Sequence, residues 1–192
     1  ELVGPDNKPE TVDKLVLFDA FELVEPPPDD PRVEVVTGDI CDPATVDALI
    51  DGETDAVFHF AAVVSGGAEA DFDLGYAVNL TGGRNVLEAS RRTGRCPKII
   101  FTSSLAVYGG KRSIDDATAL TPQTSYGAQK AMGELLGELL GRLGRLLRSL
   151  LGGWRWRWLA VLATGALARA TCGRRGALGG GAHAARRWGC PR

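Results

Sequence analysis

The residues best suited to chemistry in this chain are a tyrosine and a lysine four positions apart, in the segment Tyr126-Gly-Ala-Gln-Lys130. On a helix the two side chains share one face, one turn apart. An ammonium group beside a phenol favours the phenolate, which predicts a tyrosine pKa below its usual value of about 10. Tyr126 would then act as a general base near neutral pH. The same spacing is also common on solvated helix faces, so the pair needs support from other residues.

A serine that could act with this pair comes 22 residues before Tyr126, in Thr102-Ser-Ser-Leu-Ala-Val-Tyr-Gly. The apolar run before it predicts a buried strand, so Ser103 and Ser104 stand at a strand end. A hydroxyl there can hydrogen-bond a substrate oxygen and turn it toward the phenolate. The alternative is that both serines only cap the strand.

Four short apolar runs predict the strands that would position these residues. They begin at Leu15, Val33, Asp55 and Lys98. Helices are predicted over residues 44–51 and 69–94 and again after Pro122. The dipeptide Asp42-Pro43 is typical of an N-cap followed by a first-turn proline. In the second helix, four-residue spacing places Phe72, Tyr76 and Leu80 on one stripe, which Val86, Leu87 and Ser90 continue.

Nearly all-apolar strands that alternate with helices predict an α/β fold, with a doubly wound parallel sheet covered on both faces. Ligands of such sheets bind beyond the carboxyl ends of the strands. Asp19, Asp39, Ala61 and Ser104 all fall at those ends. The sequence therefore predicts a ligand site along this edge of the sheet.

The charge of the chain is divided between its two parts. Residues 1–132 hold 22 acidic and 11 basic residues, whereas residues 133–192 hold 2 acidic and 11 basic residues, and all 11 are arginine. The second part also holds all four tryptophans and is rich in Gly, Ala and Leu. One interpretation is a basic tail that binds nucleic acid. The interpretation that we favour is a GC-rich coding sequence read out of frame, because these amino acids have GC-rich codons.

Cysteines and apolar runs bear on the compartment and on metal binding. The four cysteines are scattered, with no Cys-x-x-Cys pair, so neither a zinc site nor a disulfide framework is expected, and a cytoplasmic location is the default. No run of about 20 apolar residues is present, so no membrane span is expected. The N-terminal residues lack the pattern of a signal peptide.

The two motifs together resemble those of a known enzyme family. A strand that ends Ser-Ser-x-x-Val-Tyr-Gly, followed by Ser-Tyr-Gly-x-x-Lys, is similar to the extended short-chain dehydrogenases of the NAD-dependent epimerase/dehydratase family, which have a Rossmann-type fold. The resemblance implies that Ser104, Tyr126 and Lys130 are the catalytic residues. It also implies NAD as the cofactor, with Tyr126 and Lys130 near it, and implies that Lys130 hydrogen-bonds the nicotinamide ribose.

Other segments resemble cofactor-binding elements of the same family. Asp19 matches the acid that accepts hydrogen bonds from the adenosine ribose and disfavours NADP. The resemblance gives further cofactor-binding positions at Asp39, Ile40, Phe60, Ala61, Ala62 and Val63, and Ser65 as a residue that contacts substrate together with Ser104 and Tyr126. Asn79 is expected to support the structure by bonding backbone. His59 is expected to pack in its strand rather than to catalyse.

Within the family, the segments around Leu15, Val63 and Thr121 resemble dehydrogenases that oxidise the C2 hydroxyl of a four-carbon sugar acid of the D-erythronate type to the 2-keto acid. A small sugar acid is then the expected partner, with neither nucleic acid nor membrane, and the family implies a homodimer formed by the helices over 69–94 and 123–140. The alternatives are a nucleotide-sugar epimerase or dehydratase of the same family, or an inactive remnant.

The resemblance covers roughly residues 5–136. It does not include the glycine-rich segment with which the family begins, nor the further strand and small substrate-binding domain with which the family continues. No Gly-x-x-Gly-x-x-Gly segment with its strand and helix is present, so the doubly wound sheet is expected to be incomplete, with two unpaired strand edges at its centre. Residues 1–136 are therefore interpreted as a partial NAD-binding domain. Residues 137–192 are interpreted as an atypical tail, disordered beyond Ala170, in which the Trp-Arg alternation before Leu159 resembles a strand only by coincidence.

Overall fold

A computed structural model describes residues 2–3, 9–95, 97–151, 158–162 and 185–188, with side chains described over 11–95 and 97–142. Two short antiparallel strands, β1 (Leu2–Val3) and β2 (Pro9–Glu10), precede the main sheet. That sheet has six strands: β3 (Leu15–Asp19), β4 (Val33–Thr37), β5 (Thr54–His59), β6 (Lys98–Thr102), β7 (Trp158–Leu162) and β8 (Ala185–Trp188).

The helices lie where the sequence predicts them, but one of the predicted helices is interrupted. They are α1 (Pro43–Leu49), α2 (Ser65–Ala70), α3 (Phe72–Tyr76), a π-helical segment (Ala77–Gly82), α4 (Gly83–Arg92), a 3-10 turn (Leu105–Tyr108) and α5 (Ser125–Leu151). The single helix predicted over 69–94 is thus divided. The division falls at Asp71, whose side chain caps α3 by accepting from the Leu74 N–H at 2.9 Å. The predicted cap at Asp42 is confirmed, because its carboxylate accepts from the N–H groups of Ala44 and Thr45.

The strand order is β4-β3-β7-β5-β6-β8. Strands β3, β4, β5, β6 and β7 are parallel, and β8 joins the edge antiparallel to β6. The four strands expected from the sequence are all present, and they confirm the doubly wound α/β prediction.

The expectation of two unpaired edges at the centre of the sheet is wrong. Strand β7 lies between β3 and β5 and pairs with both, with Ala160 opposite Val16 on one side and Val57 on the other. The segment Trp158–Leu162, whose resemblance to a strand was expected to be accidental, therefore forms a strand that is paired on both sides. The expectation of disorder beyond Ala170 is likewise wrong for residues 185–188, which form β8; the rest of that segment lies outside the described residues.

The main core lies between the sheet and the helices α1, α4 and α5. Its buried members are apolar residues from the strands, the helices and the turns that join them: Phe18, Ile40, Val46, Ile50, Val57, Ala61, Val86, Leu87, Ala89 and Ile99. The stripe predicted on the second helix is buried only in its later part. Phe72 and Tyr76 are 56% and 42% exposed, because no described element covers the outer side of α3. In the part of the chain that the structure describes, no helix is long and apolar enough to cross a membrane.

Candidate active site

The site is built around the end of β6, where the sequence places its two serines. Ser103 is buried, and its hydroxyl donates to a carboxylate oxygen of Glu134 on α5. Ser104 follows in extended conformation and caps the 3-10 turn, because its Oγ accepts from the Ala106 N–H at 3.2 Å. The two neighbouring serines therefore point to different partners. Ser104 is the one that faces Tyr126, with which it forms a side-chain hydrogen bond.

A glycine brings helix α5 close enough for that bond. A Cβ at Gly127 would lie 2.5 Å from the carbonyl oxygen of Ala106, a contact that backbone atoms do not tolerate. Close packing against Ala106 thus explains why a glycine follows Tyr126 in the motif. Without a side chain at this position, the first turn of α5 lies directly on the turn that begins at Ser104.

Tyr126 and Lys130 lie on one face of α5, as the spacing predicts, and both are buried at 4% and 2% exposure. The Lys130 ammonium donates to the Thr102 carbonyl at 3.0 Å. It lies 4.8 Å from the ring centre of Phe101 and 5.8 Å from that of Tyr126. The sheet end and the helix face together hold the ammonium directly behind the tyrosine ring.

The expected lowering of the tyrosine pKa is not what the structure shows. Burial raises the pKa of Tyr126, and the hydrogen bond with Ser104 opposes this only in part. Burial also lowers the pKa of Lys130, to about 8. The spacing of four residues predicted the proximity of the two groups but not their loss of water. Both shifts disfavour the pairing of a phenolate with an ammonium in the unliganded site.

A carboxylate that the sequence did not single out holds the start of the catalytic helix. Glu69 at the end of α2 accepts from the Ser125 hydroxyl at 2.7 Å and from the Tyr126 N–H at 3.0 Å. The same hydroxyl also contacts the Ala68 carbonyl at 3.0 Å. These bonds lower the pKa of Glu69, the Ser125 bond most. Glu69 thus acts as an N-terminal cap supplied from 57 residues away, which local sequence patterns do not reveal.

The ends of β3 and β4 form a second polar region at the same edge of the sheet. Asp19 is buried at 6% exposure, its Oδ1 accepts from the Phe21 N–H at 3.1 Å, and its carbonyl accepts from the Gly38 N–H at 3.0 Å. Asp39 begins the next turn and accepts from the Cys41 N–H at 2.8 Å. The predicted acid and the predicted turn are therefore neighbours.

Two residues fix that turn: Asn85 on α4 and Gly82 at the end of the π-helical segment. Asn85, which the sequence analysis did not single out, donates to the carbonyls of Ile40 and Cys41, both at 3.0 Å. A Cβ at Gly82 would lie 2.7 Å from the Ile40 side chain. Gly82 and Gly83 both lie inside the helix predicted over 69–94, where a glycine is unfavourable by roughly 1 kcal/mol relative to alanine. At Gly82 the close approach of Ile40 explains the glycine.

The segment after β5 carries the predicted small residues. Phe60 is half-buried, and Ala61 and Ala62 are 3% and 6% exposed. Asn79 holds the next residue, Val63: its Oδ1 accepts from the Val63 N–H at 2.8 Å and its Nδ2 donates to the Val63 carbonyl at 2.9 Å. The predicted supporting role of Asn79 is confirmed, and its position in the π-helical segment aims the amide at this backbone.

Two further predicted positions behave differently from each other. Ser65 is exposed at the first residue of α2. His59 is 2% exposed, tilted against Phe101 with ring centres 5.6 Å apart, and no described residue hydrogen-bonds either ring nitrogen. Burial, with a smaller effect of Lys130, lowers the pKa of His59 to about 3. Its position agrees with the predicted packing role.

These residues suit a dinucleotide along the carboxyl edge. Asp19 and the Asp39–Ile40 turn lie at the end suited to an adenosine, and the short side chains of Ala61 and Ala62 let a flat molecule approach the backbone. The Tyr126, Lys130 and Ser104 groups lie beyond the next strand, where a redox-active ring and a hydroxyl substrate would meet.

The sequence profile of the NAD-dependent epimerase/dehydratase family matches residues 1–146. The chain belongs to this family. It is 55% identical over 142 residues to D-erythronate dehydrogenase of Cupriavidus necator, a match that covers 72% of this chain and 43% of the relative. It is 47% identical over 135 residues to D-erythronate dehydrogenase of Haemophilus influenzae, which covers 69% of this chain and 42% of the relative. The chain thus spans less than half the length of these relatives.

Solved structures of family members have the same architecture. A nucleoside-diphosphate-sugar epimerase from Agrobacterium tumefaciens aligns with a TM-score of 0.64 and 38% identity, over 74% of this chain and 43% of that one. A dTDP-glucose 4,6-dehydratase from Streptomyces venezuelae, solved with NAD bound, aligns with a TM-score of 0.61 and 26% identity, over 69% and 43%. The predicted family and Rossmann-type fold are confirmed. The roles predicted for individual residues stay predictions.

Proposed function

We propose that this protein oxidises the C2 hydroxyl of a four-carbon sugar acid such as D-erythronate to the 2-keto acid, with NAD as the hydride acceptor. The observation that carries the proposal is the group at the carboxyl end of β6, where the half-buried Ser104 lies beside the buried Tyr126 and Lys130. The two relatives named D-erythronate dehydrogenase support the substrate class.

Each member of the group has a distinct task. Tyr126 takes the proton of the substrate hydroxyl at its phenolate oxygen. When substrate is bound, Ser104 turns its hydroxyl from Tyr126 to the substrate oxygen, donates to it and holds it in place. Lys130 stabilises the phenolate from behind the ring. Bound NAD would supply the acceptor for the C2 hydride.

Cofactor choice is part of the proposal. The Asp19 carboxylate would accept hydrogen bonds from the adenosine ribose and repel a 2′-phosphate, so NAD is preferred to NADP. The turn at Asp39 and Ile40 would flank the adenine, and Phe60 to Val63 would lie along the dinucleotide. Ser65, exposed at the start of α2, would contact the substrate.

The test is an assay of D-erythronate oxidation with NAD and with NADP, together with NADH binding by fluorescence. We expect turnover with NAD, and a loss of about 10² to 10⁴ in kcat for Tyr126→Phe, the usual range for a removed general base. The matched control is Tyr76→Phe, because Tyr76 is 42% exposed on α3 and should not affect turnover.

Two other outcomes would replace this proposal. Turnover of a UDP-sugar in place of D-erythronate would favour the epimerase branch, to which a structural neighbour belongs. Failure of the folded chain to bind NADH would favour an inactive remnant, in which the matching residues record only descent.

A homodimer is the assembly that we propose. Apolar side chains stand exposed on two neighbouring helices: Phe72 on α3 at 56%, and Leu135 and Leu139 on α5 at 59% and 55%. Leu135 and Leu139 are four residues apart and form one stripe. Light scattering is expected to give twice the chain mass, and Leu135→Glu is expected to shift it to the monomer. A monomeric wild type would contradict the proposal.

A further inference from the structure

Two successive turns of α5 are tied to the last residue of β6 and to the residue that follows it. The Lys130 ammonium donates to the Thr102 carbonyl at 3.0 Å, and the Ser103 hydroxyl donates to the Glu134 carboxylate one turn further on. The three side chains that make these contacts are buried: Ser103 and Lys130 are 2% exposed, and Glu134 is 7% exposed. The substrate-facing Ser104 is the next residue after Ser103, so this second contact lies directly beneath the proposed active site.

The charges in this region are few and opposite. Among the residues whose side chains the structure describes, Lys130 is the only buried lysine or arginine, and Glu134 and Asp19 are the buried acids. Asp19 lies across the sheet on β3, whereas Glu134 is four residues from Lys130 on the same helix face. A buried ammonium is strongly unfavourable unless an opposite charge is near.

We propose that Glu134 is a positioning residue: held by Ser103, its carboxylate balances the buried Lys130 and keeps it charged behind Tyr126. The role rests on the proposed dehydrogenase function, in which a charged Lys130 stabilises the phenolate. The other groups around the ammonium are His59 on β5, the Phe101 ring and Thr102 carbonyl on β6, and Tyr126 on α5. None of these is a carboxylate, and burial raises the pKa of Tyr126 in the unliganded site, so Glu134 is the buried acid on this helix face.

The test measures Lys130 directly and needs no turnover. The chain contains five lysines, so ¹³Cε-lysine labelling gives five resonances, and Lys130→Arg assigns the one of interest. In Glu134→Gln the amide oxygen can still accept from Ser103, but the charge is gone. We expect the Lys130 titration midpoint to fall by about one to two pH units, the effect of a unit charge about one helical turn away at an effective dielectric constant of about 20.

The matched control lies one turn further along the same helix. Glu138 is exposed and pairs with Arg142 at the surface, so Glu138→Gln removes the same charge in solvent and is expected to leave the Lys130 midpoint unchanged. Glu134→Asp keeps the charge and is expected to titrate like the wild type. An unchanged midpoint in Glu134→Gln, or an equal shift in Glu138→Gln, would overturn the proposal.

Two further readouts cover other results. If Glu134→Gln is unfolded near neutral pH, it is expected to regain its fold at about pH 10, where Lys130 is neutral; failure to regain it counts against the proposal. In the active enzyme, Glu134→Gln is expected to lower kcat with little change in KM. A lysine shift in a chain that does not oxidise D-erythronate would uphold the charge pair and refute only the proposed function.

Discussion

The buried histidine at the end of β5 gives a prediction about stability that can be worked out from the structure. No described residue hydrogen-bonds either ring nitrogen of His59, and burial lowers the pKa of the ring to about 3 from an ordinary value of 6.5. Buried polar atoms without partners are unfavourable by about 1–3 kcal/mol. We therefore expect His59→Phe, which fills a similar volume against Phe101, to stabilise the protein near neutral pH.

The larger effect is on pH dependence. The folded chain keeps His59 neutral, whereas the unfolded chain protonates it as the pH falls through 6.5. Falling pH therefore favours the unfolded state, and the stability that is fully present above 6.5 is lost progressively down to about pH 3. The difference of about 3.5 pKa units corresponds to about 5 kcal/mol in total, of which about 2 kcal/mol is lost by pH 5.

The assay is urea unfolding at about pH 7 and about pH 5, followed by circular dichroism, for the wild type and for His59→Phe. The free energy of unfolding of the wild type should fall between the two pH values by about 2 kcal/mol more than that of the variant. Carboxylates contribute equally to both proteins, so the comparison isolates His59. An equal fall in both proteins, or a variant that is clearly less stable at pH 7, would refute the reasoning.

Three other substitutions test the packing around the site. Gly127→Ala places a methyl group 2.5 Å from the Ala106 carbonyl and should cost about 1–3 kcal/mol and lower kcat, whereas Gly66→Ala, with nothing within 4 Å, should do neither; urea unfolding and turnover measure both. Glu69→Ala removes the cap of α5 and is expected to lower the melting temperature and kcat, with Glu69→Gln in between because its oxygen still accepts from the Tyr126 N–H. Ala160→Pro removes a donor from β7, which pairs on both sides, and should destabilise by about 3 kcal/mol or more, unlike Val24→Pro in an exposed loop, as urea unfolding would show.

The parts of the fold that the sequence predicted well are those set by local patterns. Buried parallel strands require nearly continuous apolar residues, so the runs from Leu15, Val33, Asp55 and Lys98 predicted the first residue of each of β3 to β6 to within one position. Asp42-Pro43 predicted its helix start because capping is a local interaction. The face shared by Tyr126 and Lys130 follows from helical geometry alone.

Contacts between distant segments were not predictable in this way. Glu69 caps α5 across 57 residues, and Asn85 binds carbonyls 44 and 45 residues away. Burial is also a property of the assembled fold. The spacing of Tyr126 and Lys130 predicted an electrostatic effect, but the loss of water around Tyr126 acts in the opposite direction and is larger. The stripe at Phe72 showed which residues share a face, not whether another element covers that face.

Strand β7 is where the expectation from the family resemblance differs most from the structure. Comparison with the family identified a missing strand and therefore predicted two open edges. Open edges in the middle of a sheet leave rows of backbone donors and acceptors without partners, which is strongly unfavourable in a buried position. Any short extended apolar segment of the right length can meet that requirement, because ladder hydrogen bonds involve only the backbone. Trp158-Leu-Ala-Val-Leu162 is such a segment, and it pairs with β3 and β5 although it follows both in the chain. The central position in the sheet is thus filled because unpaired backbone groups need hydrogen-bond partners, which many sequences can supply. The catalytic group depends on particular side chains, so it can be recognised as a sequence motif.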